Sequence, residues 1–212
     1  LALIPARSGS KGIPNKNFRS LAGKSPLTRA AECIHAAGCG WPVISSNADN
    51  FKDGPDCDCR WIQRPEELAL DATPMRAVVQ HVLECIQGLP DQIILLVQPT
   101  QPLRTVEHLR QAITLMEAGA RYVISVTETE SPDKCFYMMD SELYPWKVQL
   151  VERRQNAEVM YRRDGTVYAW RRKDKYWSYP ATPLIIPPEE TCTLDTPFDW
   201  TEAERRLALQ HL

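Results

Sequence analysis

The segment Ile93–Val97, Ile-Ile-Leu-Leu-Val, is unbroken by any polar residue and bounded by Asp91-Gln92 before it and Gln98-Pro99 after it. A run this short cannot make a stable amphipathic helix, and it lacks the alternation of a strand with one wet face. It reads as a strand covered on both sides, which is the position of a strand in a parallel sheet sandwiched by helices. Leu1–Pro5 and Tyr122–Val126 read the same way, and Val43–Ser46 and Trp61-Ile62 are two further short strands. Helical patterns fall between them. Ser25-Pro26 opens one as N-cap and first-turn proline, and Gly38 closes it. Thr73-Pro74 caps a second, whose Val78, Val79, Val82, Leu83 and Ile86 recur at helical spacing, ending at Gly88. Thr105 starts a third, carrying Leu109, Ala112, Ile113 and Met116 on one stripe and ending at Gly119. Strand–helix alternation of this kind implies a three-layer, Rossmann-like α/β fold with a mostly parallel sheet.

Residues 128–180 break the rhythm, being aromatic, basic and strand-like, so they are read as an excursion from a core formed by 1–127 and 181–212. Thr201–Leu212 is expected to be a closing helix. The opening at Leu1, already inside an apolar strand, suggests that a few residues precede it. A chain of 212 residues suffices for one buried α/β domain. A formal net charge of −2 argues against a nucleic-acid coat or a polybasic membrane anchor, and no apolar run approaches the roughly 20 residues of a membrane-spanning helix. The seven cysteines are scattered and odd in number, with Cys57, Cys59, Cys33 and Cys39 matching no common zinc-ligand spacing. Reduced thiols in a cytoplasmic protein are the expectation.

In open α/β sheets, ligands bind beyond the carboxyl ends of the strands. Three polar segments follow directly on buried strands: Pro5–Gly12, Ser45-Ser46-Asn47 and Gln98–Arg104. They should therefore line one edge of the sheet. The first, extended through Lys16 and Asn17, combines Ser8, Gly9, Ser10 and Gly12 with Arg7, Lys11 and Lys16. Small residues allow close backbone approach to an anion, and the three cations supply charge enough for a triphosphate. The spacing is neither that of the P-loop nor that of the dinucleotide fingerprint.

The same residues carry a family resemblance. Ile4-Pro5-Ala6-Arg7-Ser8-Gly9-Ser10-Lys11-Gly12-Ile13-Pro14-Asn15-Lys16-Asn17 resembles the signature loop of the acylneuraminate cytidylyltransferases, the CMP-sialic acid synthetases. Further elements follow in the family's order: Arg64-Pro65-Glu66-Glu67-Leu68-Ala69 with Asp71, then Leu96–Arg104, then Arg153-Arg154-Gln155, Asp164–Tyr168 and Leu194–Trp200 with Ala203-Glu204.

The resemblance implies a nucleotidyltransferase fold with a small dimerisation excursion, a homodimer, and transfer of CMP from CTP to the anomeric hydroxyl of an acidic, sialic-acid-like (nonulosonic) nine-carbon sugar, with release of pyrophosphate. It implies Arg7, Ser8, Ser10, Lys11, Lys16, Asn17, Arg64 and Thr73 at the nucleotide, and Gln98, Arg104, Arg154, Gln155, Asp164 and Tyr168 at the sugar. Arg7, Lys16, Arg154 and Asp195 would carry the chemistry. Mg²⁺ would be held by Asp195, with Asp199 either assisting or capping the last helix. This sequence departs from the family pattern at Thr193, where an aspartate is usual, at Asp164 in place of asparagine, at Gln101 in place of serine, and at Met75 in place of a small hydroxyl residue. Thr193 leaves a second reading open, a metal-impaired homologue that binds nucleotide or sugar without turnover. A sister activity on another sugar acid, such as KDO, matches the later elements less well.

Overall fold

The computed structural model describes residues 1–48, 55, 58–130, 135–145, 159–174, 176 and 179–209. Its main sheet has seven strands: β1 (Ala2–Pro5), β2 (Val43–Ser46), β3 (Arg60–Gln63), β4 (Ile93–Leu96), β5 (Tyr122–Thr129), β8 (Met160–Arg171) and β9 (Thr182–Ile185). They lie in the order β3-β2-β1-β4-β8-β5-β9. All neighbours pair in parallel except β8, which runs antiparallel to both β4 and β5. A separate hairpin joins β6 (Phe136–Met139) to β7 (Glu142–Pro145).

Side chains alternate across the sheet, and both faces are dry. Ala2, Ile4, Leu95, Val123 and Ala169 pack on one side against α1 (Pro26–Ala36) and α3 (Val106–Glu117), through Leu27, Ile34, Leu109 and Met116. Leu3, Ile94, Leu96, Ile124 and Trp170 pack on the other, against Val79 and Val82 of α2 (Met75–Cys85). The unbroken apolar run of β4 is thereby explained, since each of its faces meets a different helix layer. Truncating one such side chain, as in Leu96→Ala, costs about 2–5 kcal/mol. A third, smaller cluster joins Ile13 and Leu21 to Leu103, Leu194 and Trp200, Ala203 and Leu207 of α4 (Pro197–Leu209). It binds the loop after β1, the loop after β4 and the closing helix into one unit.

The helix ends follow their sequence signals in part. Ser25 caps α1, its hydroxyl accepting from Thr28 N. Thr105 caps α3 in a reciprocal box with His108. Thr73 does not cap α2: Pro74 holds the N-cap position, and the Thr73 hydroxyl donates to Glu67 O at 3.1 Å. The closing helix begins at Pro197, ahead of the expected Thr201.

The expected excursion over 128–180 needs correction at both ends. β5 runs on to Thr129, and β8 returns to the middle of the main sheet, with Val167, Tyr168, Ala169 and Trp170 all buried. Aromatic and basic residues masked a core strand there, because the basic ones sit at its ends. Among the described residues, no helix is long and apolar enough to cross a membrane.

Candidate active site

Strand order reverses its direction of growth between β1 and β4, so the loops that leave these two strands diverge and open a crevice between them. A cleft lies there. One wall is Pro5 at the end of β1, with Arg7, Gly9, Ser10, Lys16 and Asn17 from the loop after it; the other is Gln98, Pro99 and Thr100 from the loop after β4, with Arg64 and Met75 at the end. The three polar segments singled out in the sequence do share one edge of the sheet.

The loop after β1 is held by its own side chains. Asn17 Nδ2 donates to Arg7 O at 3.0 Å, and Ser8 N donates to Asn47 Oδ1 at 2.9 Å. Asn47 is held in turn by Glu66, 3.0 Å away. Arg7 Nη2 and Lys11 Nζ both grip Asp71, at 2.5 and 2.7 Å. These two cations hold the Asp71 carboxyl below the usual aspartate range: the hydrogen bond from Lys11 contributes most, then that from Arg7. Asp71 was noticed in the sequence only as part of a matching element, and its role as counter-ion to the loop is a finding of the structure.

Arg64 is 3% exposed and donates to Ser45 Oγ at 3.1 Å and Ser45 O at 2.6 Å. Burial, with the charge of Arg7 added, pulls its pKa down to about 10, so it stays cationic at neutral pH. Two guanidiniums facing one cleft repel each other, and an anion between them relieves that repulsion. Thr73 turns away to Glu67 and leaves its expected place to Met75, which lines the cleft.

The far end of the chain comes to the same rim. Lys16 Nζ donates to Leu194 O and lies 3.5 Å from Asp195 Oδ1, and the Asp195 side chain is 70% exposed there. Gly12 makes this approach possible: a Cβ at that position would collide with Asp195 O. Leu194 N donates to Thr100 O at 2.9 Å, tying the segment to the opposite wall as well.

Asp199, read from the sequence as either assisting at a metal or capping the last helix, is engaged as a cap. Its Oδ2 accepts from Asp195 N, Thr196 N and Thr196 Oγ1 at 3.1, 2.7 and 2.8 Å, while Asp199 N donates back to Thr196 Oγ1 at 3.2 Å. This is a capping box at the start of α4. Burial alone would raise the Asp199 pKa, but the hydrogen bonds from Thr196 and Asp195 outweigh it and hold it below the usual range. Among the described residues there is no cluster of three or more His, Cys, Asp or Glu side chains able to hold a metal. Asp195 is an exposed carboxylate beside Lys16, with no hydrogen bonds among the described residues of the kind that occupy Asp199. A hard divalent ion can bind through one carboxylate plus substrate phosphates, and this donor set fits that case.

The expected sugar residues divide. Gln98 lines the cleft. Arg104 is turned to backbone: its Nε donates to Thr166 O at 2.7 Å and its Nη2 to Gln98 O, and burial pulls its pKa down to about 10. Asp164 is buried, its carboxylate accepting from Thr166 N at 3.1 Å and Thr166 Oγ1 at 2.5 Å. Tyr168 is packed in the core beside Leu96, Ile124 and Trp170, and burial raises the pKa of its phenol. Arg104, Asp164 and Tyr168 thus shape the site without forming the cleft wall. Arg154 and Gln155 lie outside the described residues, as does Cys57.

Three of the departures noted in the sequence meet in space. Gln101 Nε2 donates to Asp164 O and, at 2.7 Å, to Thr193 Oγ1. No linear pattern could have announced that contact.

A family model described as cytidylyltransferase matches residues 1–185. Among curated proteins, a CMP-N,N'-diacetyllegionaminic acid synthase of Legionella pneumophila is 29% identical, over 99% of this chain and 96% of its own length. A pseudaminic acid cytidylyltransferase of Campylobacter jejuni is 28% identical, over 92% and 90%. An N-acylneuraminate cytidylyltransferase of Escherichia coli is 30% identical over 79% of this chain, but the match spans 41% of that longer protein. Among solved structures, a CMP:2-keto-3-deoxy-manno-octonic acid synthetase in complex with CTP superposes with a TM-score of 0.72 at 15% identity, covering 100% of this chain and 99% of that one. At that identity the likeness speaks for the fold. The family match, by contrast, runs from the first strand to the end of β9 and takes in every residue that lines the cleft, and the chain belongs to the cytidylyltransferase family.

Proposed function

We propose that the chain transfers CMP from CTP to the anomeric hydroxyl of a nonulosonic sugar acid. The observation that carries this reading is the loop of Arg7 and Lys16 facing Gln98 across one cleft, with the Asp195 carboxylate 3.5 Å from Lys16 beside it. The names of the similar curated proteins support the substrate class. In the reaction, the sugar's anomeric oxygen forms a bond to the α-phosphorus. The bond from that phosphorus to the bridging oxygen of the β-phosphate breaks, its electron pair leaves with pyrophosphate, and the hydroxyl proton passes to solvent.

Positioning and charge neutralisation supply most of the catalysis in such a displacement. Arg7 and Lys11 would exchange Asp71 for triphosphate oxygens, and Lys16 would neutralise charge beside Asp195. Backbone N–H groups around Ser8–Ser10 would approach the phosphates closely. Gln98 would hydrogen-bond the sugar acid. Mg²⁺, held by Asp195 and the substrate phosphates, would stabilise charge that develops on the transferring group. We place the enzyme in the cytoplasm as a homodimer, in line with the free thiols of Cys33, Cys39, Cys59, Cys85, Cys135 and Cys192 and with the exposed Met138 and Leu143 of the β6–β7 hairpin. An isolated two-stranded hairpin is marginal in water and gains from a partner.

The test is pyrophosphate release from CTP with Mg²⁺ and a panel of nonulosonic acids, with the CMP-sugar identified by mass. CTP binding without turnover on any member of the panel would favour the non-catalytic homologue instead. Light scattering at increasing concentration should give the mass of a dimer, and a monomer throughout would refute the assembly.

A further inference from the structure

Three segments that carry site residues are distant in sequence: the loop after β4 with Gln98, the irregular stretch of β8, and the segment leading to Asp195. In β8, residues 164–167 lie opposite Ser125 alone, because the register slips between Ile124 and Val126. Gly165 takes φ +83° in this bulge, and a Cβ there would stand 2.7 Å from Gln98 Oε1. The bulge therefore forms the seat against which the Gln98 side chain rests.

One side chain reaches all three segments. Gln101 is 2% exposed. Both protons of its amide nitrogen are used, one on Asp164 O in the bulge and one on Thr193 Oγ1, 2.7 Å away. Its Oε1 faces the Thr191 hydroxyl at 3.4 Å. Arg104 holds the other flank of the bulge through Thr166 O, and holds Gln98 O as well.

We propose that Gln101 is a positioning residue: its buried amide ties the β8 bulge to Thr193, and thereby sets the separation between Gln98 and Asp195 at the cleft. The kinetic part of this proposal rests on the transferase reading above. Thr193 is then the acceptor that completes the tie. Removing its hydroxyl leaves a buried N–H without a partner, and the least costly response is for the 191–195 segment to shift.

The test compares Thr193→Val, which keeps the shape and loses the acceptor, with Thr193→Ser, which keeps the acceptor. Thr193→Val should lower kcat about tenfold, by the size of a lost buried hydrogen bond, with KM for CTP changed less than about twofold. Thr193→Ser should restore most of that kcat. Gln101→Met, of similar volume without donors, should match Thr193→Val, and the double variant should lose no more than the worse single one. Hydrogen exchange gives a readout that needs no substrate. The amide of Leu194, bonded to Thr100 O, should exchange about tenfold faster in Thr193→Val and at the unmodified rate in Thr193→Ser. Equal exchange in the two Thr193 variants, or additive losses in the double variant, would overturn the proposal. If the unmodified chain turned over no sugar acid, the functional reading would fail, while the exchange comparison would still decide the role of Gln101.

Discussion

The Lys16 ammonium stands 3.5 Å from the Asp195 carboxylate, 179 positions away in the chain, and donates to the carbonyl of Leu194. The contact is carried by an apolar cluster beneath it, in which Ile13 and Leu21 meet Leu194 and Trp200. A lone exposed ion pair of this kind contributes little stability by itself. Its value lies in placement: a cation that can serve a phosphate and a carboxylate that can serve a divalent ion share one rim.

Replacing Asp195 should therefore separate binding from turnover. Asp195→Asn keeps the size of the side chain and removes the charge that a metal needs. Turnover with CTP and Mg²⁺ should fall by at least about a hundredfold, the scale of losing one transition-state charge contact, with CTP affinity in the absence of metal little changed. Retained turnover would place the metal elsewhere.

Arg7 is expected to act on nucleotide affinity. Arg7→Ala removes a charge-assisted contact worth about 1.5–3 kcal/mol, so calorimetry should show CTP binding weaker by about tenfold or more. Unchanged affinity would contradict the assignment of this loop.

Asp71 pairs with Arg7 and Lys11, and under the proposed function it would compete there with the incoming anion. Asp71→Asn should consequently tighten binding of pyrophosphate by several-fold, roughly one lost charge competitor, and most clearly at low ionic strength. Weaker binding in that variant would mean that Asp71 orders the loop more than it blocks it.

Gly12 tolerates no side chain. The methyl of Gly12→Ala would meet the Asp195 carbonyl, a backbone atom that cannot swing aside. Overpacking of this kind costs about 1–3 kcal/mol, and here the strain would move the Asp195 segment, so kcat should fall about tenfold or more. Circular dichroism should show the fold intact. Full activity would mean that this approach is dispensable.

Asp199 should matter for stability and its effect should depend on pH. Asp199→Ala opens the capping box of α4 and should cost about 1 kcal/mol at neutral pH. Because the folded-state pKa of Asp199 is depressed, its contribution is present above the ordinary aspartate pKa and disappears as pH falls through the lower folded value. Chemical denaturation should thus separate the two proteins at pH 7 and bring them together in acid, once the pH has passed below the depressed folded-state value. A gap that persists in acid would point to a packing effect instead.

The layers of this fold were legible in the residues themselves. Apolar runs buried on both faces, helical stripes between them and polar loops after each strand are local consequences of the period of the backbone, and they placed Arg7, Lys16, Asn17 and Gln98 at one edge. What misled was also local: the basic ends of β8 hid a central strand, and Thr73-Pro74 looked like a cap. Tertiary structure alone decided the rest. That Gln101 meets Thr193, that Asp71 answers Arg7 and Lys11, and that Asp199 closes a helix while Asp195 comes up beside Lys16 all depend on where distant segments come to rest. Those positions are set by packing between elements, and packing has no period in the chain from which it can be read.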